Sequence, residues 1–140
     1  MTLFLDTEFN GHGGQLISLA LVSDWHPAYF YGVLPLPEVV QPWVAQHVIP
    51  LLDQQPEPVD AFRTRLRHYL ERFANEEIIA DWPDDFALLL RVMSGPEYGG
   101  SWMVPCSMRL VNSGEVKPEI PHNALSDGRA LMHWWVWQRG

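Results

Sequence analysis

Leu3-Phe4-Leu5-Asp6-Thr7-Glu8-Phe9-Asn10 carries the strongest structural signal in this chain. Its three consecutive apolar residues, with no polar alternation, indicate a strand buried on both faces and therefore a central strand. Because residues i and i+2 of a strand point to one face, Asp6 and Glu8 are expected side by side, roughly 6–7 Å apart. Two such carboxylates are costly to bury unless a positive group joins them, and a divalent cation is the usual solution. The apolar flanks disfavour the alternative, a solvated Asp-x-Glu turn.

The overall composition is typical of one folded domain. The chain has 140 residues, of which 47% are hydrophobic, so we expect a single domain over residues 1–140 with a substantial core. Its one cysteine, Cys106, excludes an internal disulfide and favours a cytoplasmic location. The N-terminus does not resemble a signal peptide, and no apolar run approaches the ~18–20 residues of a membrane span.

The formal net charge of −8 argues against a protein that holds nucleic acid on a broad basic surface. It is compatible with an enzyme that acts on nucleic acid at an acidic, cation-filled pocket. Four arginines are concentrated in one segment: Arg63, Arg65, Arg67 and Arg72. Such a cluster usually forms a solvated helix face, and contact with a phosphate backbone is the alternative.

The first half of the chain has the pattern of an antiparallel meander followed by helices. The flexible turn 10–14, which contains His12, precedes predicted strands at 15–23 and 28–34. A short helix is expected to begin near Pro42, since proline suits a first helical turn. Apolar residues at helical spacing then predict a helix over 59–74.

The second half places further acidic residues next to regular elements. A short buried strand at 78–80 runs into Asp81-Trp82-Pro83-Asp84-Asp85, which opens an apolar helix. These acids either cap the helix N-terminus or lie at the same sheet end as Asp6 and Glu8. A loop at 95–100 and a last strand at 108–112 are expected to follow. The final helix begins after Asn123, a suitable N-cap, with Leu125, Leu131 and Trp135 on its inner face.

The order of these motifs resembles the DEDDh class of 3′–5′ exonucleases, which includes ribonuclease T, oligoribonuclease and the proofreading subunit of bacterial DNA polymerase. The segment Phe4-Leu5-Asp6-Thr7-Glu8 is similar to the first motif, and His122-Asn123-Ala124-Leu125-Ser126-Asp127 is similar to the third. The short chain and its Asp-Trp-Pro-Asp-Asp segment most resemble a small bacterial exoribonuclease subfamily that includes a mycobacterial enzyme. The resemblance implies an α/β, RNase H-like fold: a mixed five-stranded sheet flanked by helices.

The second motif departs from the family pattern, in which Asn leads and Asp follows four residues later. Here Asp81 occupies the Asn position and Asp85 the Asp position. The functional role is therefore assigned to Asp85. Asp84 is the alternative candidate for this ligand. Asp81 is expected to support the ligands without binding a cation itself.

The resemblance implies a two-metal hydrolysis of phosphodiester bonds. Mg²⁺ or Mn²⁺, two per site, suits a set of oxygen ligands, which would be Asp6, Glu8, Asp85 and Asp127. His122 would be the general base that removes a proton from the attacking water. The substrate would be a nucleic acid with a 3′ end, more specifically RNA. Backbone near Thr7 and Phe9 would contact the terminal nucleotide, and Phe9 or Trp82 would stack on its base.

Tryptophans 134, 135 and 137 lie close together in the last helix. One helix stripe cannot bury all three, so either the domain wraps this helix or a second copy covers it, and we expect a homodimer.

Other functions remain open from the sequence. A non-catalytic RNase H-like binding or scaffold protein and a 3′–5′ exodeoxyribonuclease would share these motifs. Asp6-Thr7 also begins an aspartic protease motif, but Glu8 replaces its required glycine and no second copy follows.

Overall fold

A five-stranded mixed sheet forms the centre of the computed structural model, which describes residues 1–114, 118 and 121–139. Its strands are β1 (Thr2–Phe9), β2 (Leu16–Ser23), β3 (Phe30–Val33), β4 (Glu77–Ala80) and β5 (Ser107–Leu110). The order across the sheet is β3-β2-β1-β4-β5. β1, β2 and β3 form an antiparallel meander, whereas β4 and β5 run parallel to β1. The expected α/β class, central first strand and meander are confirmed.

Helices cover both faces of the sheet. They are α1 (Pro42–His47), α2 (Val59–Arg72), α3 (Pro83–Ser94) and α4 (Ala124–Arg139). Leu3 and Leu5 point to the face covered by α2 and α3, where they join the largest core cluster. Phe4 points to the opposite face and packs in a cluster with Leu131 of α4. The uninterrupted apolar run of β1 is therefore explained by a helix layer on each side.

Several boundaries differ from the sequence expectation by a few residues. The strand expected at 28–34 is limited to 30–33, and the last strand lies at 107–110 rather than 108–112. α2 ends at Arg72 instead of residue 74, because the chain turns through Asn75 at φ +65°. The expected loop at 95–100 contains a short 3-10 turn at Pro96–Tyr98. None of the helices in the described part of the chain has the length and hydrophobicity of a bilayer span.

The arginines of α2 are mostly engaged within the protein. Arg63 Nε donates to the carbonyl of Val92 at 3.0 Å, and its other nitrogens donate to the carbonyls of Met93, Tyr98 and Gly100. These carbonyls lie at the end of α3 and in the turn after it, where backbone acceptors lack helical partners. Arg65 pairs with Glu57, and Arg67 pairs with Glu71. These contacts favour a structural role over phosphate binding for this cluster.

We expect Arg63→Ala to destabilise the fold by about 2 kcal/mol or more, because several carbonyls lose a charged donor. Arg67→Ala is the matched control, since its exposed pair with Glu71 contributes only about 0.3–0.5 kcal/mol. Urea unfolding monitored by circular dichroism measures both changes. Equal effects of the two substitutions would contradict this role for Arg63.

Candidate metal centre

β1 positions the first two acidic side chains of the site. Asp6 and Glu8 alternate with Thr7, so the two carboxylates share the α4 side of the sheet and Thr7 faces α3. Asp6 lies opposite Ala20, and Glu8 lies opposite Ser18 of β2. Both acids are half-buried and lie within the strand itself. A single strand therefore directs polar groups toward both helix layers.

The start of α4 brings Asp127 to the same place. Asn123 Oδ1 accepts a hydrogen bond from the backbone N–H of Ser126 at 3.1 Å, which confirms Asn123 as the N-cap. Its amide nitrogen donates to the carbonyl of Leu51 at 2.7 Å and anchors the cap to the body of the domain. α4 crosses β1 closely, because a Cβ built on Gly128 would lie 4.0 Å from the Asp6 Cβ. Asp127, in the first turn of α4, therefore faces Asp6 and Glu8.

The start of α3 supplies a buried carboxylate. Pro83 occupies the first turn of α3, and the acids in that turn are stabilised by the helix dipole. Asp85 is only 2% exposed, and its Oδ1 accepts a hydrogen bond from Thr7 Oγ1 at 2.6 Å. Asp84 instead accepts from the indole N–H of Trp82 at 3.1 Å. Of the two candidates for the second-motif ligand, Asp84 and Asp85, only Asp85 is buried.

Asp81 reaches the cluster from the end of β4. The parallel ladder pairs Phe4 with Ile79, and this register continued by two residues sets Asp81 beside Asp6. Neighbouring strands lie about 4.8 Å apart, which brings the two carboxylates into direct proximity. The sequence predicts a supporting role for Asp81, and the structure brings its carboxylate into one group with Asp6 and Asp85. Its position follows from the two-residue spacing between buried Ile79 and Asp81, because residues i and i+2 of an extended segment point to the same face.

Two groups of carboxylates result, and Asp6 belongs to both. Asp6, Glu8 and Asp127 each place one oxygen within 4.8 Å of the others, and so do Asp6, Asp81 and Asp85. Asp6 Oδ2 and Asp85 Oδ2 are buried and have no hydrogen-bond partner among the described residues. A buried oxygen without a donor is unfavourable, and a hard divalent cation would satisfy it. The oxygen-only donor set thus fits Mg²⁺ or Mn²⁺.

Crowding and burial raise the pKa values of these acids. The pKa of Asp6 is raised well above its ordinary value by burial and then by the charges of Asp85, Asp127 and Glu8. Burial raises the pKa of Glu8 to about 9, aided by its hydrogen bond with Asp127. Burial also raises the pKa of Asp85 to about 7, although the Thr7 hydrogen bond opposes this change. Without a cation, the site therefore retains protons at neutral pH.

His122 lies at the Asp127 side of the cluster. Burial raises the pKa of Asp127, and the charge of His122 opposes that increase. The His122 ring packs edge-to-face on Trp43, with centroids 4.9 Å apart, and Trp43 stacks on His47 at 4.6 Å. His122 has a left-handed backbone with φ +66°, which histidine tolerates better than most residues. No local sequence signal indicated the contact with Trp43.

The three residues expected to contact substrate have different environments. The Thr7 side chain is buried and donates to Asp85, so only its backbone is left for a ligand. Phe9 is half-buried and lines a cleft of about 740 Å³, together with Gln15, Asp84 and Leu88. The Trp82 side chain is 56% exposed beside the start of α3. The cleft lies between α3 and the turn that joins β1 to β2, and none of the five clustered carboxylates lines it.

No protein-family model matches this chain, and no curated protein matches it significantly. The case for a function therefore depends on the chemistry and geometry of the cluster.

The raised pKa values predict that the cation-free protein becomes less stable as pH rises. Glu8 titrates near 4.5 when unfolded and near 9 when folded, so between these values the folded state holds more protons. The free energy of unfolding should then fall steadily from about pH 5 to about pH 9. Urea unfolding in the presence of EDTA across this range measures the trend.

Glu8→Gln is the control for this trend, because glutamine cannot ionise and its profile should be flatter. A wild-type free energy of unfolding that stays constant or rises with pH would contradict the prediction.

Proposed function

We propose that this protein is a metal-dependent 3′–5′ exonuclease of the DEDDh type with an RNase H-like fold. The observation that carries the proposal is the convergence of five carboxylates, from β1, the end of β4, α3 and α4, into two groups that share Asp6. These acids come from three separate stretches of the sequence, residues 6–8, 81–85 and 127. The mixed five-stranded sheet with helices on both faces supports the proposed fold.

The chain's own residues support a hydrolytic role. Two divalent cations, Mg²⁺ or Mn²⁺, would activate the attacking water, neutralise the phosphate and stabilise the departing 3′ oxygen. Asp6, Glu8, Asp85 and Asp127 would hold them. His122, on the Asp127 side of the cluster, would accept the proton of the water. Its edge contact with Trp43 restricts the orientation of the imidazole.

The cleft lined by Phe9 offers a surface on which a nucleotide base would stack. Its wall combines the Phe9 ring and Leu88 with polar Gln15 and Asp84, and this suits a flat base with a polar edge. The exposed indole of Trp82, whose N–H donates to Asp84, offers a second stacking surface. We propose RNA rather than DNA as the substrate, because the chain resembles the small bacterial exoribonuclease subfamily.

Stepwise shortening of end-labelled single-stranded RNA is the expected activity, with Mg²⁺ or Mn²⁺ and not with EDTA. Asp6→Ala should abolish shortening, because both carboxylate groups lose their shared member. His122→Ala should slow it about 10²–10⁴-fold, the usual contribution of a general base, while Mn²⁺ binding persists. Gel time courses on RNA and DNA, single-stranded and with 3′ overhangs, measure each effect.

Glu71→Gln, an exposed acid on α2, is the control and should retain wild-type rates. Asp85→Asn should lose far more activity than Asp84→Asn if Asp85 is the ligand of the second motif. Shortening of DNA alone would indicate an exodeoxyribonuclease. Internal cuts, or full activity in Asp6→Ala, would contradict the proposal, and Mn²⁺ binding without any cleavage would favour a non-catalytic binding protein.

We also propose a homodimer through the C-terminal part of α4. Phe4 packs against Trp135 within the domain, whereas Trp137 is 79% exposed and adjoins exposed Val136. An apolar patch of this kind on a helix is typical of an interaction surface.

Light scattering should give the mass of two chains, and Trp137→Ser should shift the protein toward one chain. Trp25→Ser, at an exposed tryptophan outside α4, is the control. A wild-type monomer at high concentration would contradict the dimer.

A further inference from the structure

We propose that Asp81 is itself a cation ligand, which together with Asp6 and Asp85 forms a three-carboxylate niche on the β4 side of Asp6. This inference rests on the proposed metal-dependent function and deepens it. The common DEDDh pattern has a neutral Asn at this position, so Asp81 adds a carboxylate to the four that the resemblance implies.

The strand register explains why Asp81 enters the niche. β4 runs parallel to β1, with Phe4 paired to Ile79, and both of these side chains pack in the cluster beneath α4. Two residues further on, Asp6 within β1 and Asp81, the first residue after β4, continue this alternation toward the same face. One oxygen of each, together with one oxygen of Asp85, lies within 4.8 Å of the others. The contact therefore follows from the register of β1 and β4, with Asp81 directly after the last residue of β4.

A hydrogen bond orients the Asp81 carboxylate. Ser113 Oγ donates to Asp81 Oδ2 at 2.7 Å, and Ser113 is buried. The segment after β5 is held against β4 by the backbone bond from Val111 N–H to the carbonyl of Ala80, at 2.9 Å. With Oδ2 occupied by this donor, Oδ1 is left to contact a cation. Fixing a ligating carboxylate by such a bond is a common way to strengthen a metal site.

The buried, unpartnered oxygens point to an occupant for the niche. Asp85 is 2% exposed, and its Oδ2 lacks a hydrogen-bond partner in the described part of the chain, as does Asp6 Oδ2. No Lys or Arg among the described residues forms an ion pair with Asp6, Asp81 or Asp85. Three carboxylates this close repel one another unless positive charge is present. A divalent cation with oxygen ligands meets both requirements.

Titration of EDTA-stripped full-length protein with Mn²⁺, followed by calorimetry in the presence of adenosine 5′-monophosphate, tests this assignment. The wild type should bind two Mn²⁺ per chain. Asp81→Asn should weaken one of the two sites at least about tenfold and leave the other within about twofold, because asparagine keeps the shape and the Ser113 bond but loses the charge. Ser113→Ala should weaken the same site to a smaller extent.

Two comparisons make the result specific to Asp81. Asp127→Asn should weaken the other site, because Asp127 belongs to the group with Glu8. In EDTA, Asp81→Asn should unfold at or above the wild-type temperature, since it removes a repulsive charge, and this measurement shows that the variant is folded.

The outcomes separate this inference from the proposed function. Two Mn²⁺ in Asp81→Asn with unchanged affinities, or a single Mn²⁺ in the wild type, would overturn the role of Asp81. The exonuclease would survive either result if RNA shortening still required Asp6. A wild type that binds no Mn²⁺ would overturn both. Normal Mn²⁺ binding without any cleavage would overturn the exonuclease and leave the ligand role of Asp81 standing.

Discussion

Repulsion among carboxylates around Asp6 is the constraint on which the rest of this structure depends. Asp6 shares a desolvated space with acids from two strands and two helices, and burial raises its pKa well above the ordinary value. Such a cluster is unfavourable for folding unless protons or cations occupy it. The remainder of the fold supplies the energy to hold it. The apolar residues of β1 are buried between helix layers, and Arg63 secures the end of α3 through several carbonyl contacts.

The acidic cluster also reconciles the net charge of −8 with a proposed nucleic acid substrate. A negatively charged protein attracts phosphates poorly over its surface at large, so binding would depend on cations held at one point. The arginines of α2 do not alter this balance, because Arg65 and Arg67 form ion pairs with glutamates. Recognition would then be confined to the end of a strand that reaches the cluster.

Local sequence patterns predicted the helices and strands well. They predicted only in part which acidic side chains lie close together in the folded protein. The apolar run before Asp6 indicated a central strand, and Asn123 was recognised as an N-cap because capping is a local property. Asp84 and Asp85 were hard to separate, since both suit a helix N-terminus and only the packing of α3 shows which one is buried. The position of Asp81 depends on the β1–β4 register, which is set by the whole sheet. Ser113 and Trp43 make contacts that no spacing in the sequence encodes.

The sharing of Asp6 between two carboxylate groups affects how firmly the two helix layers of the domain are held together. Asp127 comes from the helix on one side of the sheet, whereas Asp85 comes from the layer on the other side and is bonded to Thr7. Cations held in both groups would cross-link the helix layers on the two sides of the sheet, because both groups include Asp6 of β1. Depletion of the metal would then loosen the layers from each other.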